Sequence, residues 1–275
     1  KDAGSVWATP GACGIWLPAP GLRAGTRVRQ AGQLAGRGTG HVGAALFRHA
    51  TSRALDPHLH SHCIVFNATH GAVENRWKAL QNFEILRAQK YVENVYYHEL
   101  ARELIRFGYR IENHPRGDFR VIGLDAELDD KFSKRHEEID AKTQELLIRE
   151  PGKASVNVAE IRENIAHNER SRKIKDIGAE ELGALWAGQL SAIEADTLAA
   201  AVSMARGEAR LQRSGSVEDA LTWAEDHLFD RKSVVREHDL WLHALEPARG
   251  AALTSQAFPA APRPHTYWPS EPPRK

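Results

Sequence analysis

Histidine carries the most chemical information in this chain: there are 14 among 275 residues, and neutral imidazole both ligates metals and titrates near neutrality. The run His58, Leu59, His60, Ser61, His62 alternates histidine with other types. On a β-strand, residues two apart project from the same side, so His60 and His62 can share one metal ion. An alternating pair alone is more often an exposed strand than a metal site, so a third ligand is needed. Two candidates stand: His58, on the same strand face, and His49, which a turn at Asp56 and Pro57 would bring alongside on an antiparallel neighbour. The Asp-Pro turn favours His49.

Other chemistry-bearing patterns are weaker. Gly38, Gly40 and Gly43 match the G-x-G-x-x-G dinucleotide fingerprint, but no clear strand precedes them and a strand-like stretch follows, so a flexible entry loop is the better reading. His98 and Glu99 lack the second histidine of a zinc-protease helix, as does His136. An H-x-H-x-D-H metallohydrolase site fails because Cys63 and Ile64 stand where its Asp-His pair is required. No phosphate-cradling G-x-x-x-x-G-K-[ST] loop occurs. Arg170, Arg172, Lys173 and Lys175 form a basic cluster that either tracks a single-stranded backbone or complements a helix dipole. Cys13 and Cys63 are isolated, which fits a reducing compartment rather than a disulfide framework.

The segment Phe47-Arg48-His49-Ala50-Thr51-Ser52-Arg53-Ala54-Leu55-Asp56-Pro57-His58-Leu59-His60-Ser61-His62 resembles the signature F-x-H-x-T-S-R-x-x-D-P-x-L-H-x-H of conjugative relaxases of the TrwC/TraI (MobF) type, which are HUH endonucleases. The resemblance runs over residues 36–205, through Asn67, Trp77, the Gly108-Tyr109 helix end, Arg172, Lys175 and Trp186. A looser second match, with Ala220, His227, Leu228, Arg231, Val234, Ala244 and Leu245, is similar to the start of the helicase part of these bifunctional proteins.

The resemblance implies that His49, His60 and His62 bind one divalent metal ion, with His58 at a variable position. Magnesium, manganese, zinc or another ion is compatible with that role, and the ligand set does not name it. It also places Arg53 near a scissile phosphate, where a guanidinium makes two charge-assisted hydrogen bonds. The implied activity is nicking and strand transfer at a plasmid transfer origin, through a tyrosine that becomes joined to the 5′ phosphate. The implied partners are single-stranded origin-of-transfer DNA, relaxosome accessory proteins and a coupling ATPase, in the cytoplasm. One departure stands out: the family's nucleophilic tyrosine precedes the metal motif, whereas the first tyrosine here is Tyr91. Tyr91, Tyr96 and Tyr97 fit a core-facing helical stripe better than catalysis. Asp2 lies in a segment that does not match, so the strands carrying the nucleophile are expected to be absent or replaced. Two functions follow: a relaxase, or an inactive, metal-containing, single-stranded-DNA-binding remnant.

The elements that must position these residues are predicted as strands over residues 43–47 and 59–67, a long amphipathic helix over 82–107 stopped by Gly108, and a hairpin of 109–112 with 119–122. Helices are then predicted from about Asp129 to Pro151, over 158–172 and 179–206, and from the capping-box-like Ser216 onward. The expected fold is α/β in the two-layer sense, an antiparallel sheet covered by helices, with a helical extension. Its expected divisions are an irregular 1–35, a relaxase domain over 36–205, a helicase-like helical start over 206–250 and a solvated proline-rich tail over 251–275. A hydrophobic content of 42% supports a sizeable core, there is no apolar run long enough to cross a membrane, and a net charge of +1 gives no general reason to bind nucleic acid.

Overall fold

The computed structural model describes residues 25–30, 33–39, 43–114, 118–150, 157–168, 177–207 and 213–261. Among them the architecture is mixed α/β, with strands paired as four two-stranded sheets instead of one continuous sheet. Strand β1 (Gly25–Gln30) pairs antiparallel with β2 (Gln33–Gly38). Strand β3 (Ala44–Thr51) pairs with β4 (Pro57–Val65), β5 (Thr69–Gly71) with β6 (Arg76–Lys78), and β7 (Ile111–Asn113) with β8 (Phe119–Val121). The β1–β2 ribbon corrects the expectation of irregular structure before residue 36. Its ladder is held by backbone bonds, which make no demand on the apolar alternation that is missing there. Gly43 precedes a strand and not a helix, and a Cβ on it would meet the Phe66 ring at 3.3 Å, so at Gly43 the backbone comes close to Phe66, whereas a Cβ on Gly38 would meet nothing within 4 Å.

The helices are α1 (Phe83–Arg87), α2 (Gln89–Arg106), α3 (Ala126–Lys131), α4 (Lys134–Arg149), α5 (Val158–Asn168), α6 (Ala179–Ala187), α7 (Ala192–Gly207), α8 (Val217–Phe229), α9 (Glu237–Leu245) and α10 (Ala257–Ala260). The single helix expected over 82–107 is broken at Ala88, and Phe83 and Leu86 before the break are exposed. Gly108, at φ +91°, ends α2 as expected: Tyr109 N–H donates to Leu104 O and Gly108 N–H to Ile105 O, the paired bonds of a Schellman stop.

Two compact units divide the chain, one of residues 1–46, 63–122 and 202–275, the other of 47–62 and 123–201. In the first, Tyr91 and Val95 of α2 share a core with Ala220, Leu221, Ala224 and Leu228 of α8 and with Leu240, Trp241, Ala244 and Leu245 of α9. The segment expected as a separate helicase-like unit is thus part of the core around α2. The apolar stripe of α2 needs a covering surface, and these helices supply it. Residues 251–261 are anchored on the core instead of being wholly solvated: Ala251, Ser255 and Phe258 are buried, and Pro259 sits in the first turn of α10, where its missing N–H is not needed. Residues 262–275 lie outside the described residues.

In the second unit, α4 packs against α5, and Arg162 of α5 pairs with Asp140 of α4 at 2.8 Å. The Ala179–Arg206 helix expected from the sequence divides into α6 and α7 around Gly188.

Candidate metal centre and phosphate loop

Strands β3 and β4 carry the histidines, and the 52–56 loop between them folds back on itself. Ser52 N–H donates to Asp56 O at 2.9 Å, and Ser52 Oγ accepts from the N–H groups of Ala54 at 3.2 Å and Asp56 at 3.1 Å. This short closure brings β3 beside β4, and His49 with it. The ring centroids of His49 and His60 lie 5.4 Å apart, those of His49 and His62 4.9 Å, and those of His60 and His62 5.0 Å. His58 stacks on His60 at 4.5 Å. Burial first, and the neighbouring His60 second, hold the His58 imidazole below its ordinary pKa.

Whether the three rings suit a metal is a question of spacing and tautomer. With a metal–nitrogen bond of about 2.1 Å, ring centres sit about 3.2 Å from the ion, and two of them at a tetrahedral angle are about 5 Å apart. The observed triangle fits that size. His60 Nδ1–H donates to His58 O at 2.8 Å, which leaves Nε2 with a free lone pair and fixes the ring. Among the described residues, however, no group of three or more His, Cys, Asp or Glu side chains meets the donor geometry of a metal site. The rings are gathered but not drawn in around a common point.

Arg53 is exposed in the loop, next to Ser52, whose bonds set the local backbone. Leu55 adopts the left-handed region at φ +64°, and Trp186 Nε1–H of α6 donates to its carbonyl at 2.6 Å. Asp56 is only 1% exposed, and its carboxylate accepts from both Lys134 N–H at 3.1 Å and Lys134 Nζ at 2.7 Å. Lys134 Nζ also donates to Gln189 Oε1 at 2.6 Å. In the sequence Asp56 has only the signal of a turn former, and Lys134 and Gln189 have none that links them to the loop. The available signals were the carboxylate beside Pro57 and the indole of Trp186. Arg170, Arg172, Lys173 and Lys175 lie outside the described residues.

Of the three tyrosines expected in a core-facing stripe, only Tyr91 is a core residue: Tyr97 is half-buried and Tyr96, at 39% exposure, departs from the expectation. The Tyr91 ring lies in the core, 5.7 Å from Trp241, and burial raises its hydroxyl pKa well above the ordinary value. Tyr96 and Tyr97 pack ring to ring on α2 at 6.0 Å, and burial followed by the charge of Glu93 raises Tyr97.

The TrwC relaxase family model matches residues 23–193, which takes in the hairpin, its loop and the helices that hold it. The chain belongs to the TrwC relaxase family. It is 33% identical over 105 residues to the multifunctional conjugation protein TraI of Escherichia coli K12, a match that takes in 38% of this chain and 6% of that protein. Among solved structures, it resembles the conjugative relaxase TrwC in complex with oriT DNA in a metal-free state, with a TM-score of 0.58 and 32% identity over 67% of this chain and 63% of that one. A metal-bound TrwC–oriT complex is similar at a TM-score of 0.56 and 31% identity, over 65% and 60% of the two chains. The chain therefore shares its fold with proteins solved on transfer-origin DNA, and spans only part of their length. Among the described residues no helix is long and apolar enough to cross a membrane.

Proposed function

We propose that this chain is the metal- and phosphate-binding part of a conjugative relaxase, acting on single-stranded transfer-origin DNA. The observation that carries the reading is the triangle of His49, His60 and His62 rings, with His49 against both partners across the hairpin. The three imidazoles would hold one divalent ion, whose chemistry is Lewis-acid polarisation of a phosphate oxygen. Arg53, on the connecting loop, would make charge-assisted bonds to the same phosphate, and the cluster Arg170, Arg172, Lys173 and Lys175 would follow the backbone of the strand. Relaxosome accessory proteins and a coupling ATPase are the further partners this reading implies, and the cytoplasm its compartment.

A second reading, favoured by the placement of the tyrosines, is that the 275-residue chain by itself binds such DNA without nicking it. Tyr91 is a core residue, and Tyr96 and Tyr97 are ring partners on α2, outside the histidine hairpin in the chain and with Tyr96 exposed. Positioning a nucleophile in line with phosphorus supplies much of the acceleration in such a transfer, and the burial of Tyr91 withholds its hydroxyl from that role.

One measurement tests the ligand set and a second separates the two readings. Metal content of purified protein should fall for His49→Ala, His60→Ala and His62→Ala and stay near wild type for His58→Ala; an equal fall for His58→Ala would replace the third ligand. Incubation with manganese and a transfer-origin oligonucleotide, followed by a denaturing gel, should show no covalent adduct from this chain while binding is retained and weakened by added salt. An adduct abolished by Tyr96→Phe or Tyr97→Phe would establish nicking by a tyrosine of α2.

A further inference from the structure

We infer that α4 and α6 set the geometry of the metal centre by gripping the 52–56 loop, so that Lys134, Trp186 and Gln189 are positioning residues for His49, His60 and Arg53. The inference rests on the reading of the three histidines as ligands.

The loop is the sole covalent link between the strand that carries His49 and the strand that carries His60 and His62. Its shape is unusual for its residue types. Leu55 sits in the left-handed region at φ +64°, a conformation that a branched side chain adopts only when its surroundings demand it. The surroundings are visible: the indole N–H of Trp186 takes the Leu55 carbonyl at 2.6 Å, from 131 residues away in sequence.

The next residue is held more tightly still. Asp56 is almost wholly buried, and its two carboxylate oxygens are taken by the backbone N–H and the ammonium of Lys134. Lys134 is the first residue of α4, so the carboxylate also lies at the positive end of that helix. The ammonium is in turn fixed by Gln189 Oε1 at 2.6 Å, just beyond the end of α6. A buried carboxylate with both oxygens paired to one helix start cannot shift without breaking charge-assisted bonds. The hairpin is therefore anchored at its turn, four residues before His60 and seven after His49.

Bonds made directly to a ligating side chain are typically worth about 10–100-fold in metal affinity. A grip on the Leu55 carbonyl and the Asp56 carboxylate acts on the ligands through the backbone, and its worth is expected at the low end of that range. The helices that hold the turn would thus decide how closely the three rings approach, and where Arg53 is carried relative to them.

The test uses the full chain, freed of metal and titrated with cobalt(II), reading both affinity and the ligand-field spectrum. Trp186→Phe deletes one donor and keeps the ring; Lys134→Met deletes the ammonium; Lys134→Arg restores a cationic donor. Trp186→Phe and Lys134→Met are expected to raise the cobalt Kd about 10-fold and to alter the absorption band, with Lys134→Arg recovering part of both and far-UV circular dichroism unchanged for Trp186→Phe. Wild-type affinity and spectrum in Trp186→Phe and Lys134→Met would show that the grip is structural only, and overturn the inference while leaving the ligand assignment standing. Should Lys134→Met fail to fold, Trp186→Phe decides alone. Equal binding by wild type and His60→Ala would overturn the ligand reading and this inference together.

Discussion

Acidification should destabilise this protein through one imidazole that lies away from the histidine hairpin. His98 of α2 is fully buried, its Nε2–H donates to Leu253 O at 2.7 Å, and its Nδ1 is buried with no hydrogen-bond partner among the described residues. Around it, the 249–258 segment is tied to α2 by Arg249 Nη2 on Asn94 Oδ1 at 2.6 Å and by Ser255 N–H on Glu99 Oε1 at 2.9 Å, and the Phe258 ring meets the imidazole edge-on at 6.2 Å. The charged groups facing His98 are Glu99, Arg102 and Arg249. Burial is the largest influence and holds its pKa below the ordinary 6.5, although the bond to Leu253 and the charge of Glu99 act the other way.

The sign follows from which state takes the proton. As pH falls below about 6.5, the unfolded chain protonates this residue before the folded one does, because a charged ring would leave a buried N–H without an acceptor. The stabilisation is complete above about 6.5, declines with a limiting slope of about 1.4 kcal/mol per pH unit, and levels off below the depressed folded value. Urea unfolding of chelator-treated protein from about pH 8 to about pH 5 measures this, and chelation keeps metal release out of the comparison. His98→Gln keeps an N–H for Leu253 and removes the titration, so the pH dependence of wild type minus variant isolates this one group. Parallel stability profiles for the two proteins would refute the reasoning.

Three other outcomes are expected. Gly250→Ala and Gly123→Ala both place a side chain at positive φ, +80° and +94°, and should each lose about 1–2 kcal/mol in denaturant unfolding. Gly250→Ala should lose about 1–3 kcal/mol more, because its Cβ would meet Ile105 Cδ1 at 2.8 Å whereas that of Gly123 meets nothing within 4 Å; equal losses would deny the steric contribution. Ser216→Ala should destabilise by about 1 kcal/mol, since Ser216 Oγ accepts the Asp219 N–H at 3.2 Å at the start of α8, and an unchanged midpoint would show that the cap is not used. Cobalt bound by the wild-type chain should be released as pH drops through about 6, where free imidazoles protonate, and retention well below that would argue against histidine ligation.

The hairpin was legible because its information is local. Strand periodicity places His58, His60 and His62 on one side, and the Asp56-Pro57 turn returns His49 to them within a few residues. Gly108 as the end of α2 and Ser216 as the start of α8 were readable for the same reason, since each cap acts within one turn of its own helix. The β1–β2 ribbon and the β5–β6 hairpin escaped notice because short strands held by backbone pairing leave little side-chain pattern. Composition misled at residues 251–261: the prolines of the 251–275 tail suggest solvation, but only Pro259 falls in this stretch, and the Phe258 ring fits the core.

By itself, the order of residues settled that three imidazoles could meet across one turn, and that α2 has an apolar face needing cover. It did not say what covers that face, because an amphipathic stripe specifies burial but not a partner; α8 and α9, more than 100 residues later, turn out to supply the surface. Nor could it assign Asp56, whose local role as a turn former hides a buried charge answered by Lys134, 78 residues away. A carboxylate is kept in the interior only by a cation and donors brought to it through space, so that choice belongs to the tertiary structure.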